Sequence, residues 1–144
     1  MGDNNILKQQ IIYSGTDGII SISSLISGMI GAGIDPYIII LTGSIASFSD
    51  ALSMAISEYN SREELDTTVV TFASFYAFAL LVLMGAFLPK CFYVPWVIFI
   101  ILILSMMKKL FSEDSNVLKT MVVSILGGYA SFSFGKLMRL IPKN

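Results

Sequence analysis

The chain alternates between long apolar runs and short polar breaks, and that rhythm predicts five helices. About 20 mostly apolar residues in a helix suffice to cross a bilayer. Such runs lie at about 11–33, 36–58, 67–88, 94–109 and 117–141. Ile34-Asp35-Pro36 separates the first two, with Asp35 placed to cap the second helix and Pro36 suited to its first turn. Asn60 to Asp66 reads as a charged turn or helix extension, and the third run stops at Pro89. Lys90 to Tyr93 reads as an aromatic interfacial connection, Ser112 to Asn116 as a solvated loop, and Pro142 and Lys143 close the last run. The expected fold class is all-α: a single polytopic membrane domain over residues 1–144 with five transmembrane helices.

Within three of these runs, small residues recur every four positions: Ser24/Gly28/Ala32, Gly43/Ser47/Ala51/Ala55 and Gly127/Ser131/Gly135. Small faces let membrane helices approach closely. The third and fourth runs look bulky and aromatic by comparison. The expected arrangement therefore buries helices one, two and five together and leaves three and four peripheral.

Composition agrees with the pattern. Of 144 residues, 55% are hydrophobic and only 13% charged, against about 25% charged in soluble domains. Mean hydropathy is +0.78. A net charge of −1 offers no basic face for nucleic acid. One cysteine, Cys91, and no histidine exclude an internal disulfide, Cys/His zinc sites and His-based triads. The polar N-terminus has no signal-peptide layout, and Ile6 and Leu7 follow Gly2 where myristoylation would want Ser or Thr. Five spans place the termini on opposite sides. Lys8, Arg62, Lys108, Lys109 and Lys119 fall on the N-terminal side; Lys90, Lys136, Arg139 and Lys143 fall on the other. This small excess favours a cytosolic N-terminus.

Against that background the acidic residues inside the runs stand out. Asp50, Met54 and Glu58 are four residues apart, one above another on the second helix. Asp17 lies about six residues into the first run, roughly 9 Å of helix rise. Ionisable groups in hydrocarbon are costly and mark function by default. Each also has a plainer reading. Asp17, flanked by Gly15 and Gly18, could cap a helix break. Asp50 could bond hydroxyls across a helix interface, Met54 could fill a gap, and Glu58 could be a solvated end residue. Carboxylates with a thioether suit a divalent transition metal such as Fe²⁺ or Mn²⁺. One chain offers too few ligands for an octahedral ion, so waters or a two-fold-related chain must complete the shell. Desolvated acids hold protons until a divalent cation displaces them, and alternate exposure to the two sides would then exchange metal for protons.

These residues carry a family resemblance. Tyr13-Ser-Gly-Thr-Asp17-Gly18-Ile-Ile and Ser49-Asp50-Ala-Leu-Ser53-Met54-Ala-Ile-Ser-Glu58-Tyr59 resemble the vacuolar iron transporter family, with its Ala-Asp, Ser-Met and Gly-Glu-Tyr pattern. Ser57 stands where the family has Gly. The five-helix layout and the Gly127-Gly128 pair agree, although only the first two helices carry specific motifs. The resemblance implies a homodimer with a cytosolic N-terminus and a pathway at the subunit interface. It implies export of iron or manganese into vacuoles or out of cells, in a vacuolar or other endomembrane, or the plasma membrane of a prokaryote. Asp17 and Met54 would be transport ligands, and Asp50 and Glu58 match motif acids. Many members insert a long Glu-rich cytosolic domain between helices two and three. Here only Tyr59 to Asp66 intervene, as in the compact, plant nodulin-like members, so metal collection by that domain does not carry over.

The metal is expected as cargo, with no resident cofactor and no enzymatic activity. The alternative is a small membrane interaction or scaffold protein whose acids only fix helix packing. A paired-aspartate protease would want a Gly-x-Gly-Asp context that this chain does not contain.

Overall fold

The computed structural model describes residues 2–88, 90–111 and 117–141. The expected loop at Ser112 to Asn116, and Pro89, Pro142 and Lys143, lie outside them. The chain is all-helical: α1 (Gly2–Ala32), α2 (Pro36–Arg62), α3 (Leu65–Met84), a 3₁₀ turn (Gly85–Phe87), α4 (Lys90–Phe111) and α5 (Val117–Met138). Asp35 caps α2 as its position suggests, accepting the Tyr37 N–H at 2.9 Å, with Pro36 in the first turn. At the other end Glu63 takes a left-handed conformation, φ 57°, and donates its N–H to the Tyr59 carbonyl at 2.7 Å. That sharp reversal makes the connection to α3 only two residues long. Lys90 to Tyr93 are the first turn of α4, not a connection, and the 3₁₀ turn does the linking instead.

Two stretches, Pro36–Arg62 and Leu65–Phe87, have both the length and the hydropathy to cross a membrane among the described residues. Val122–Met138 forms a shorter apolar stretch. α1 begins well before its apolar run, at Gly2, and continues unbroken through Asp17 to Ala32. No helix break exists for Asp17 to cap.

Helix packing departs from the expected arrangement in one respect. α1 packs most extensively on α3 and α5, and α2 rests chiefly on α3; α2 and α5 do not meet among the described residues. α3 is therefore central, not peripheral. The reason is a face of its own, Thr67, Thr71, Ser74, Phe75, Ala79 and Val82, which is buried while Phe72, Tyr76 and Phe78 lie half-buried at its flanks. This face is also hydroxyl-bearing. Gln10 donates from Nε2 to Thr71 Oγ1 at 2.8 Å, and one turn on, the Ser14 and Ser74 hydroxyls share a hydrogen bond at 2.5 Å. Buried polar groups need such partners, above all where no water competes. Apolar packing continues upward through Ile19, Ile22 and Ile26 of α1 and Phe75, Ala79, Val82 and Leu83 of α3.

The small faces pack as their spacing implied. The stripe Gly43, Ser47, Ala51 and Ala55 is the buried side of α2, with Gly43 against Leu83. On α5, Gly127 faces Ser24, and Gly135 lies so close to Gly28 that a Cβ would collide with its carbonyl. These pairings fix directions: α1, α3 and α5 run the same way, and α2 runs against α3. The two ends of the described chain thus lie at opposite ends of the bundle.

Candidate functional site

α1 and α2 are antiparallel neighbours joined by a tight turn at Gly33, φ 74°, where a side chain would be strained. Their packing puts Asp17 on α1 and Asp50 on α2 within electrostatic reach of each other. Both residues are exposed on the surface of the single chain. Ser21, one turn along α1, approaches Asp17 Oδ1 with its hydroxyl at 3.4 Å, near the limit for a hydrogen bond.

Asp17 is held there by the glycines beside it. A Cβ on Gly15 would strike the Phe78 ring, and one on Gly18 would strike the Phe75 carbonyl. Both glycines let α1 lie flat against α3, so that Asp17, on the opposite side of the helix, faces outward.

The three α2 residues do not share one environment. Asp50 is exposed, Met54 is half-buried against the apolar core, and the Glu58 side chain is only 15% exposed. The physical cause is helical pitch: each four-residue step advances about 40° beyond a full turn. Over two steps the line rotates from the open flank toward the buried seam. Glu58 Oε1 lies 2.8 Å from Arg62 Nε, an ion pair by distance. The N–H is not aimed at that oxygen, which is buried without a hydrogen-bond donor. Among the described residues no three Asp, Glu, Cys or His side chains converge on one point.

A polar line on α2 runs elsewhere, through Ser49, Asp50, Ser53, Ser57 and Asn60, all exposed. Ser49, Ser53 and Ser57 were legible only as motif letters. Their four-residue steps are the signal that marks them as one face. A separate exposed stripe, Leu41, Ile45, Phe48, Leu52 and Ile56, is wholly apolar. Phe48 anchors that side against Phe72 and Tyr76, with ring centroids 5.8 and 6.0 Å away. The outer surface of α2 is therefore split over its second half, one side fit for lipid tails and the other polar.

Comparison with known proteins centres on this pair of helices. Residues 8–67 match the VIT family model. The chain is 45% identical over 59 residues to a vacuolar iron transporter of Plasmodium berghei (strain Anka), covering 41% of this chain and 21% of that protein. It is 41% identical over 64 residues to a vacuolar iron transporter of Plasmodium falciparum (isolate 3D7), covering 42% of this chain and 23% of that protein. The matched part thus spans less than a quarter of the length of these curated relatives. No solved structure matches. The resemblance read from the motifs is thereby shown over residues 8–67, which include Asp17, Asp50, Met54 and Glu58; most of α3, and all of α4 and α5, fall outside that span.

Proposed function

We propose that this chain carries a divalent transition metal, iron or manganese, out of the cytosol across a membrane in exchange for protons. The observation behind this reading is that Asp17 and Asp50 both stand exposed on two adjacent apolar helices, within electrostatic reach of each other. A carboxylate at the centre of a bilayer costs roughly 2.5–3.5 kcal/mol. Two of them beside a line of hydroxyls do not face lipid tails, so protein and water cover this flank in the working assembly. A second copy of the chain about a two-fold axis supplies the cover. It also doubles the donors to two Asp17, two Asp50 and two Met54, on the order of the six that an octahedral ion takes. The thioether favours Fe²⁺ or Mn²⁺ over Ca²⁺.

Glu58 lies two turns from Asp50, toward the end that holds the α2–α3 connection. With the N-terminus cytosolic, that end is the cytosolic mouth, and an entering cation competes with Arg62 for the Glu58 carboxylate. Metal reaching the inner acids displaces their protons, and re-protonation from the far side releases it. The shared direction of α1, α3 and α5 supports five alternating passes. The relatives' name, vacuolar iron transporter, supports the cargo and an endomembrane location.

Purified chain in proteoliposomes should take up Fe²⁺ or Mn²⁺ faster when the far side is acidic. Comparison of Fe²⁺, Mn²⁺, Co²⁺ and Ca²⁺ fixes the preference. Unchanged uptake by Asp17→Asn would leave the acids as packing groups and sink the transport site as drawn.

A further inference from the structure

The side of α1 that faces α4 carries a second feature. α1 and α5 close on each other through glycines, whereas α4 meets them with Val94, Val97, Ile98 and Ile101. The bulkier helix stands off, and two cavities remain, one chiefly among α1, the start of α2 and the 3₁₀ turn, the other among α1, α4 and α5. One, about 390 Å³, opens near the α1–α2 turn between Ile30, Gly33, Leu88 and Phe132. The other, about 290 Å³, lies deeper, between Ile19, Ile101 and Tyr129. Ser27 and Val94 line both, so the cavities adjoin as one slot. From Ile19 to Gly33 the slot follows α1 for roughly 21 Å of helix rise. That length exceeds one leaflet of a hydrocarbon core about 30 Å thick, and the walls are mostly apolar, interrupted by Ser23, Ser27 and Ser124.

The mouth of this slot is cationic. The Arg139 guanidinium lies over Gly33, with Cζ and Nη1 each 3.4 Å from where a Cβ would stand. Arg139 is exposed and makes no ion pair among the described residues. Lys136 is exposed one turn earlier on α5. The acid at this end, Asp35, is engaged in capping α2. Arg forks match phosphate oxygens, and an apolar slot of acyl-chain length beneath one is a two-part recognition element.

We propose that the slot holds an acyl chain of an anionic phospholipid, with its phosphate on Arg139. Charge selects the headgroup and the slot selects the chain. The site is on a different side of α1 from Asp17 and does not depend on the transport reading.

The test uses the full chain in a neutral detergent, with thermal unfolding followed by the fluorescence of its sole tryptophan, Trp96. Dioleoyl phosphatidylglycerol should half-saturate the stabilising shift at about tenfold lower concentration than dioleoyl phosphatidylcholine, whose fixed choline cation offsets the phosphate charge beside Arg139 and Lys136. Soluble glycerol phosphate should give no shift. Arg139→Gln should abolish the preference between the two lipids. Val94→Phe, at the neck on α4, should weaken both lipids at least tenfold without altering the helix that leads to Arg139. Equal titration by the two lipids in the unaltered chain overturns the proposal, as does a preference that survives Arg139→Gln. A full shift with glycerol phosphate identifies a soluble phosphate as the ligand and excludes the acyl chain.

Discussion

Gly18 separates Asp17 from the helix behind it, and replacing it with alanine tests how tightly the site is positioned. A Cβ there would stand 2.6 Å from the Phe75 carbonyl oxygen, where ordinary contact begins at 3.4 Å. The obstacle is backbone, which has no rotamer to yield, so α1 and α3 must part by most of that difference. Overpacking of this kind costs about 1–3 kcal/mol, and the better helix propensity of alanine returns up to about 1 kcal/mol. Gly127 is the matched control. Its Cβ would meet only Ser24 Oγ, at 3.6 Å, so alanine fits without movement and keeps the propensity gain. Gly127→Ala should therefore exceed Gly18→Ala in stability by about 1–3 kcal/mol. Unfolding in mixed micelles with increasing dodecyl sulfate, followed by helical circular dichroism, measures the difference. A Gly18→Ala midpoint equal to or above that of Gly127→Ala refutes the close approach of α1 and α3. Because Asp17 moves with the backbone, uptake by folded Gly18→Ala should also fall.

Other expectations follow from the same geometry. Asp17→Asn and Asp50→Asn should each lower pH-driven Fe²⁺ or Mn²⁺ uptake at least tenfold, about 1.4 kcal/mol or more; the double variant should lose little beyond either single one, since the pair acts together. Met54→Leu keeps the packing volume and removes the sulfur, so the ratio of Fe²⁺ to Ca²⁺ uptake should fall; an unchanged ratio assigns Met54 to the core alone. Thr71→Val strands the buried Gln10 amide and should destabilise by about 1–3 kcal/mol. Adding Gln10→Leu should recover most of that loss in the same unfolding assay, because an apolar pair leaves no group unsatisfied.

Much of the architecture follows from the order of residues alone. The apolar runs, the Asp35-Pro36 start of α2 and the four-residue steps of small residues determine helix number, approximate bounds and which residues share a face. All of these are consequences of helical period and of local hydrogen bonding, which act within a few residues. The placement of Asp17 and Asp50 within apolar helices is equally local, and it pointed to the same segment that matches known transporters.

Which face meets which helix is not local. α3 became central because its Thr71 and Ser74 hydroxyls find Gln10 and Ser14 across a long stretch of sequence, and that complementarity exists only between two helices. The abundance of aromatic residues on α3 concealed it. The turning of Met54 and Glu58 from the open flank toward the buried seam likewise needed the seam to be located first. The tertiary structure alone decided that Asp17 and Asp50 come within electrostatic reach on adjacent helices, that the serine face stays exposed, and that α4 stands away from α1. Period assigns residues to faces of one helix; close approach, set by glycines and pairwise shape, decides where those faces lie relative to each other.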